Sequence, residues 1–169
     1  KLISSGGGGA ILSNNEALGQ KAKHLTTTAR VDNSSEIEHD EIGYNFRMPN
    51  LNAALVCGQL ERLTDFLSEK RKLALAYKDF FQYRSWADFF EEPEGTRSNY
   101  WLCAITLEDP KFRDKLLETL NAANILARPV WKLMTELPIY EDCQKGPLPN
   151  AEWLSQRVVN LPSGLQNRV

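Results

Sequence analysis

Apolar and polar positions alternate, cluster and recur along this chain in ways that predict its elements. Lys1-Leu2-Ile3-Ser4-Ser5 reads as a strand, interrupted by Gly6 to Gly9 and resumed by Ala10-Ile11-Leu12-Ser13. Asn14-Asn15 forms a turn and an N-cap for a helix over 16–25. The stretch from Thr26 to Ser35 is polar and without period, which predicts an exposed loop. From Leu51 the apolar positions Ala54, Leu55, Leu60, Leu63, Phe66, Leu67, Ala74, Tyr77, Phe80 and Phe81 keep helical spacing nearly to Tyr83. That predicts one long helix, bent or split near Ser68, with Asn50 as its cap.

Beyond the turn-like Glu91-Glu92-Pro93-Glu94-Gly95 the period changes. Tyr100 to Leu107 is a buried strand by its length and its aromatic and β-branched content. Asp109-Pro110 opens a helix through about 121, since proline at the first turn lacks only an N–H that would be unpaired anyway. Ile125 to Val130 reads as a short strand, Leu133 to Tyr140 as a helical turn, 151–157 as a helix and Val158 to Leu161 as a last strand. Strand–helix–strand–helix–strand predicts a small α/β layer domain. The expected organisation is 1–50 as the end of a large domain, 51–83 as a helical spine and 84–169 as a small α/β domain.

Composition narrows the class. The chain has 169 residues, 42% hydrophobic and 25% charged, which excludes collagen-like, mucin-like and disordered proteins. Twenty Lys and Arg against 22 Asp and Glu give a net charge of −2, so nucleic acid and anionic membranes are not expected partners. No apolar run approaches the roughly 20 residues that span a bilayer. No signal peptide is visible, although the chain opens on lysine and not methionine. Cys57, Cys103 and Cys143 are scattered and form no CxxC pair, which predicts reduced thiols in a cytoplasmic protein.

Two segments carry candidate chemistry. Four successive glycines cost backbone entropy and suit a place where the chain bends or approaches another group closely. Taken alone, Gly6 to Gly9 is neither a phosphate loop ending in Gly-Lys-Ser/Thr nor a GxGxxG dinucleotide fingerprint. A bend in a strand and backbone passing a flat or phosphorylated ligand both remain open. The segment His39 to Asn50, HDEIGYNFRMPN, is rich in binding side chains and poor in pattern, as functional loops are. His39 reads as a substrate or acid–base group, or as a loop anchor beside Asp40.

Taken together, KLISSGGGGAIL at 1–12, HDEIGYNFRM at 39–48, NAAL at 52–55, Gln59-Leu60, RPVW at 128–131 and LPSG at 161–164 resemble, in order, the sugar aminotransferases of the DegT/DnrJ type. Those enzymes use pyridoxal 5′-phosphate (PLP) and have the aspartate-aminotransferase fold, an α/β architecture. The resemblance implies the C-terminal part of a PLP fold-type I transferase. Many family members have an acidic residue where this chain has Gly7. The all-glycine form with RPVW resembles the branch that aminates UDP-linked 4-keto-6-deoxy-N-acetylhexosamines for bacterial surface glycans.

By that resemblance Lys1 is the catalytic lysine that holds PLP through its side-chain amine and then shuttles the proton in the 1,3-shift. A lysine amine is nucleophilic only when unprotonated, and desolvation beside a cofactor frees the lone pair. Asn45 would reach across a homodimer to the partner's PLP phosphate, and Arg47 suits a phosphate through its forked donors. His39, Arg128 and Trp131 are candidate substrate contacts, Trp131 being equally readable as core. Tyr44 and Phe46 are expected to pack. The substrates the resemblance implies are a nucleotide sugar and an amino donor, glutamate; no metal is expected.

The carboxylate, ring-stacking and phosphate-binding residues that such a site takes from upstream of its lysine cannot be placed in this sequence. The expectation is therefore a chain inactive by itself. Two alternatives stand beside it: a PLP-dependent dehydratase, which has His where aminotransferases have Lys, and a cofactor-free α/β binding domain.

Overall fold

The computed structural model describes residues 1–32 and 35–165. Part of the expected loop after Thr26 (Asn33 and Ser34) and the tail Gln166–Val169 lie outside the described residues. The chain divides into two compact units, Lys1–Leu63 and Thr64–Val169.

In the first unit, α1 (Glu16–Thr26) is capped by Asn15, whose side-chain oxygen accepts from the Leu18 N–H at 3.1 Å. Glu16 in the first turn and Lys23 and His24 in the last complement the helix dipole. The strand expected over Lys1 to Ser13 does not form. A strand exists only where a neighbour supplies a ladder, and the bridges in this unit are isolated pairs elsewhere, Thr27 with Asn45 and Arg30 with His39. Gly6 and Gly8 also take φ of +71° and +103°, which breaks any extended run.

The long helix is also two helices. α2 (Asn50–Leu60) and α3 (Leu63–Phe81) are separated at Glu61-Arg62, not near Ser68. There the Arg62 N–H turns to the Gln59 carbonyl at 3.1 Å, a tightened last turn that ends α2. Asn50 begins the helix and does not cap it, Pro49 standing at the cap position.

The second unit is built on a four-stranded antiparallel sheet in the order β1-β2-β4-β3. Its strands are β1 (Ala87–Phe89), β2 (Cys103–Leu107), β3 (Arg128–Pro129) and β4 (Val158–Leu161). β2 alternates buried and half-buried positions, so Cys103, Ile105 and Leu107 all point to one face. Ile105 pairs with Val159 and Cys103 with Leu161 in register. Phe81, Ala87, Ile105, Leu107, Val159 and Leu161 make the core, covered by Leu116, Leu117 and Leu120 of α4 (Arg113–Ala122). Each buried aliphatic side chain there contributes about 1.5–3 kcal/mol. α5 (Pro149–Ser155) leads into β4.

β1 falls inside an aromatic run that the sequence left unassigned, and the strand expected from Ile125 shrinks to two residues because only Arg128 and Pro129 find partners on β4. The segment after β4 is pinned by α3. The buried Lys70 amine donates to the Ser163 carbonyl and, at 3.3 Å, to that of Trp101. The Tyr77 hydroxyl donates to the Pro162 carbonyl at 3.0 Å, and Ser163 Oγ accepts from the Cys103 N–H at 2.7 Å.

Candidate active site

A helix leaves its last carbonyls without intrahelical partners. At the end of α1 those carbonyls organise the segment that carries the candidate side chains. The Tyr44 N–H donates to the Leu25 carbonyl at 2.7 Å and the Phe46 N–H to that of Thr26 at 2.9 Å. The Thr28 N–H donates in return to the Tyr44 carbonyl at 3.0 Å. This packing brings Gly43 so close that a Cβ there would lie 2.3 Å from the Thr28 carbonyl carbon and 2.4 Å from the Ala29 nitrogen. Only glycine fits. Ala29, at a φ of +49°, is fully buried beneath the turn.

Side chains fasten the same turn. His39 Nδ1 lies 2.7 Å from the Thr28 carbonyl, and His24 Nε2 lies 2.6 Å from Asp40 Oδ1. The hydrogen bond from His24, with the nearby Lys21 charge, holds the Asp40 carboxyl below its ordinary range. Through Nδ1, His39 thus helps to hold the loop. Tyr44 and Phe46, expected to pack, stack on each other with centroids 5.1 Å apart while both stay exposed.

The anchored loop, α1 and the glycine segment enclose an open cavity of about 890 Å³. Gly7 to Gly9 form one wall as bare backbone, with Lys23, Phe46, Arg47, Met48 and Asn52 around them. Gly8, at a φ of +103°, sits against Met48, whose methyl would be 3.4 Å from a Cβ. A smaller polar recess of about 410 Å³ adjoins, lined by His24, Arg30 and Asp32 and sharing Lys23 and Arg47. Among the described residues Lys23 and Arg47 have no carboxylate partner. Lys23, Arg30 and Arg47 face one carboxylate, Asp32, in this recess, a balance that attracts a phosphate or carboxylate group.

The structure therefore brings Arg47 to the glycine wall. It leaves the other sequence candidates outside that lining. Lys1 and Asn45 are exposed, Asn45 two residues before Arg47 and bridged to Thr27 through its backbone. Arg128 and Trp131 lie in the second unit, along a separate recess of about 240 Å³ with Leu102 and Asn160. Trp131 is 70% exposed, so the alternative that it belongs to the core fails.

Lys23, Met48 and the close approach at Gly43 escaped the sequence reading. Gly43 carried a signal, a glycine just before the GYN aromatic, but its partner is 15 residues away. Lys23 looked like any solvated helix charge.

The sequence pattern of the DegT/DnrJ/EryC1/StrS aminotransferase family matches residues 1–166. The chain belongs to this family. Its relatives in the DegT/DnrJ/EryC1/StrS group include the GDP-perosamine synthase of Escherichia coli O157:H7, 34% identical over 164 residues that cover 96% of this chain and 44% of that protein. The UDP-4-amino-4,6-dideoxy-N-acetyl-beta-L-altrosamine transaminase of Helicobacter pylori is 26% identical over 166 residues, with 96% and 44% covered. Among solved structures, Helicobacter pylori PseC, an aminotransferase involved in the biosynthesis of pseudoaminic acid, superposes with a TM-score of 0.86 at 27% identity, over 96% of this chain and 45% of PseC.

The α/β fold is thus that of PLP-type aminotransferases, the family is one of aminotransferases, and a Bacillus subtilis relative 32% identical over 97% of this chain is named a putative pyridoxal phosphate-dependent aminotransferase. The chain spans about 44% of the length of the curated relatives it matches.

Proposed function

We propose that these residues form part of a PLP-dependent site that transfers an amino group from glutamate to a nucleotide-linked 4-keto-6-deoxy sugar. The observation that carries the reading is the family match along residues 1–166, which includes both the lysine and the GYNFR segment. The relatives' names pair a sugar with GDP in one case and a 4-amino-4,6-dideoxy sugar with UDP in the other. The all-glycine segment and Arg128 to Trp131 favour the UDP-linked N-acetylhexosamine class for this chain.

The residues present fit the cofactor. A wall of bare backbone at Gly7 to Gly9 admits a flat ring, and Arg47 and Lys23 beside it suit a phosphate dianion. Lys1 would hold the cofactor and Arg47 its phosphate, Asn45 would reach the cofactor phosphate of a second copy, and His39, Arg128 and Trp131 would contact substrate. PLP when bound supplies the electron sink that makes the substrate's C–H bond acidic. Lys1 would act as the general base, its side-chain amine taking the proton from the amine-bearing carbon within its reach.

Asn45 is exposed and outside the cavity lining, which supports its acting on the site of a second copy in a homodimer. The exposed Leu51, Leu55 and Leu60 of α2 support such an assembly. No described helix is long and apolar enough to cross a membrane. With Cys57, Cys103 and Cys143 all free thiols, the reading places the protein in the cytoplasm. Because 56% or so of a relative's length has no counterpart here, the 169-residue chain by itself is expected to be inactive.

The test is amino transfer by the whole protein, supplied with PLP, glutamate and a UDP-linked 4-keto-6-deoxy-N-acetylhexosamine. Equal amounts of 2-oxoglutarate and 4-amino sugar are expected, with none from the 169-residue chain alone. Elimination of water from the sugar without amine transfer would contradict the reading in favour of a dehydratase.

A further inference from the structure

The segment Lys1 to Gly7 has no strand beside it among the described residues, so its backbone polar groups need other partners. Two side-chain amides of α2 supply them. Gln59 Oε1 accepts from the Ser4 N–H at 2.9 Å, and Gln59 Nε2 donates to the Ser4 carbonyl at 2.6 Å. One primary amide thereby presents a donor and an acceptor as a neighbouring strand would. Asn52 Nδ2 donates to the Ser5 carbonyl and, at 3.5 Å, to that of Gly7. It thus spans the bend at Gly6, whose φ is +71°.

Asn52 and Gln59 are seven residues apart, which is close to two helical turns, so both amides leave the same face of α2. Both are half-buried, whereas Leu51 and Leu55 are exposed. Fixing the Ser4 N–H and C=O in one plane sets the direction in which the three preceding residues run. Fixing Ser5 and Gly7 across the bend sets where the backbone wall of the cavity stands.

We propose that Asn52 and Gln59 are positioning residues: their amides clamp the backbone of residues 4–7 and so aim Lys1 and the Gly7–Gly9 wall at a shared cofactor. The inference rests on the reading of Lys1 given above. Gln59 is outside the cavity lining and acts through the backbone it holds, while Asn52 holds the backbone from within the lining.

The experiment compares the whole protein with its Gln59→Leu, Gln59→Glu and Asn52→Ala variants. Three quantities are read: amide hydrogen exchange of the peptide covering residues 4–9, the dissociation constant for PLP, and the fraction of PLP fixed on Lys1 by borohydride. Losing two hydrogen bonds at Ser4, Gln59→Leu is expected to speed exchange in that peptide and weaken PLP binding about tenfold. Gln59→Glu keeps the acceptor for the Ser4 N–H but sets a carboxylate against the Ser4 carbonyl, and is expected to lose cofactor affinity as well. Asn52→Ala, which removes the bonds to Ser5 and Gly7 and leaves Gln59 in place, keeps the test available if a Gln59 variant does not fold.

Faster exchange with unchanged PLP affinity in variants that keep the wild-type circular dichroism would overturn the proposal and leave the function reading intact. If wild-type protein carries PLP at another lysine, both readings fail. That outcome is recognisable because the exchange at residues 4–9 would still respond to Gln59→Leu.

Discussion

In the second unit Ile105, Leu107 and Val159 are almost wholly withdrawn from water, and β2, β4, α3 and α4 close around them. In the first unit Ala29 alone is buried among the described hydrophobic residues, while Ile11, Leu12, Ile42, Phe46 and Leu51 are strongly exposed. One region is organised by apolar packing and the other by hydrogen bonds to helix ends, side-chain amides and a glycine that admits no Cβ. The difference separates two jobs. The packed sheet can define itself from its own sequence, whereas the cavity region keeps polar groups and bare backbone turned toward what it binds. Exposed apolar surface of that extent marks an interaction face.

The largest effect should come from the packed side. Ile105→Ala deletes a fully buried side chain opposite Val159 and is expected to cost about 2–5 kcal/mol, read as a lowered urea midpoint for the second unit. A loss under about 1 kcal/mol would mean that the sheet is not the source of this unit's stability.

The next should come from the hydrogen-bonded side. Gly43→Ala places a methyl within 2.3 Å of backbone at Thr28 and is expected to cost about 1–3 kcal/mol. Its signature is the loss of protection at the Tyr44 and Phe46 amides while those of β2 stay protected. Equal loss in both would erase the distinction between the units.

Acid should act on the second unit through one ion pair. Arg71 donates twice to Glu92, at 2.7 and 3.0 Å, and the Ser98 N–H donates to the same carboxylate. These contacts, the Arg71 hydrogen bonds first, lower the Glu92 pKa to about 2 against an ordinary 4.5. The folded pKa lies below the unfolded one, so the contribution is fully present above pH 4.5 and is lost as pH falls from there to about 2. Glu92→Gln should flatten the acid limb of stability across that window; an unchanged limb would show the pair to be idle.

The smallest effect is expected at Leu55→Ala, on an exposed position of α2 in the first unit. It should shift the stability of the chain by no more than about 0.5 kcal/mol. A larger shift would reveal packing in the first unit that its burial does not suggest.

The same contrast governs what the sequence disclosed. β2 and β4 were legible because burial leaves a local record, alternating in CAITL and continuous in VVNL. β1 was not, since three residues inside WADFF carry too little period to separate a strand from a helix tail. The strand expected at Lys1 to Ser13 failed for a physical reason: pairing is a property of two segments, and the partners here are the amides of Asn52 and Gln59.

At the site, the glycine run and the segment around Arg47 stood out by residue type. The His24–Asp40 contact and the forbidden Cβ at Gly43 did not, because both depend on chain 15 or 16 residues distant. Trp131 shows the limit from the other side: an aromatic residue flanked by a strand gives no sign of which way it faces, and it faces water.

The central claim is that Lys1 carries the cofactor. Borohydride reduction of the whole protein loaded with PLP, followed by peptide mass mapping, tests it directly. A single pyridoxyl adduct on the Lys1 side chain, absent from a Lys1→Ala variant that remains folded, is the predicted result. An adduct on another lysine, or the same labelling in Lys1→Ala, would contradict it.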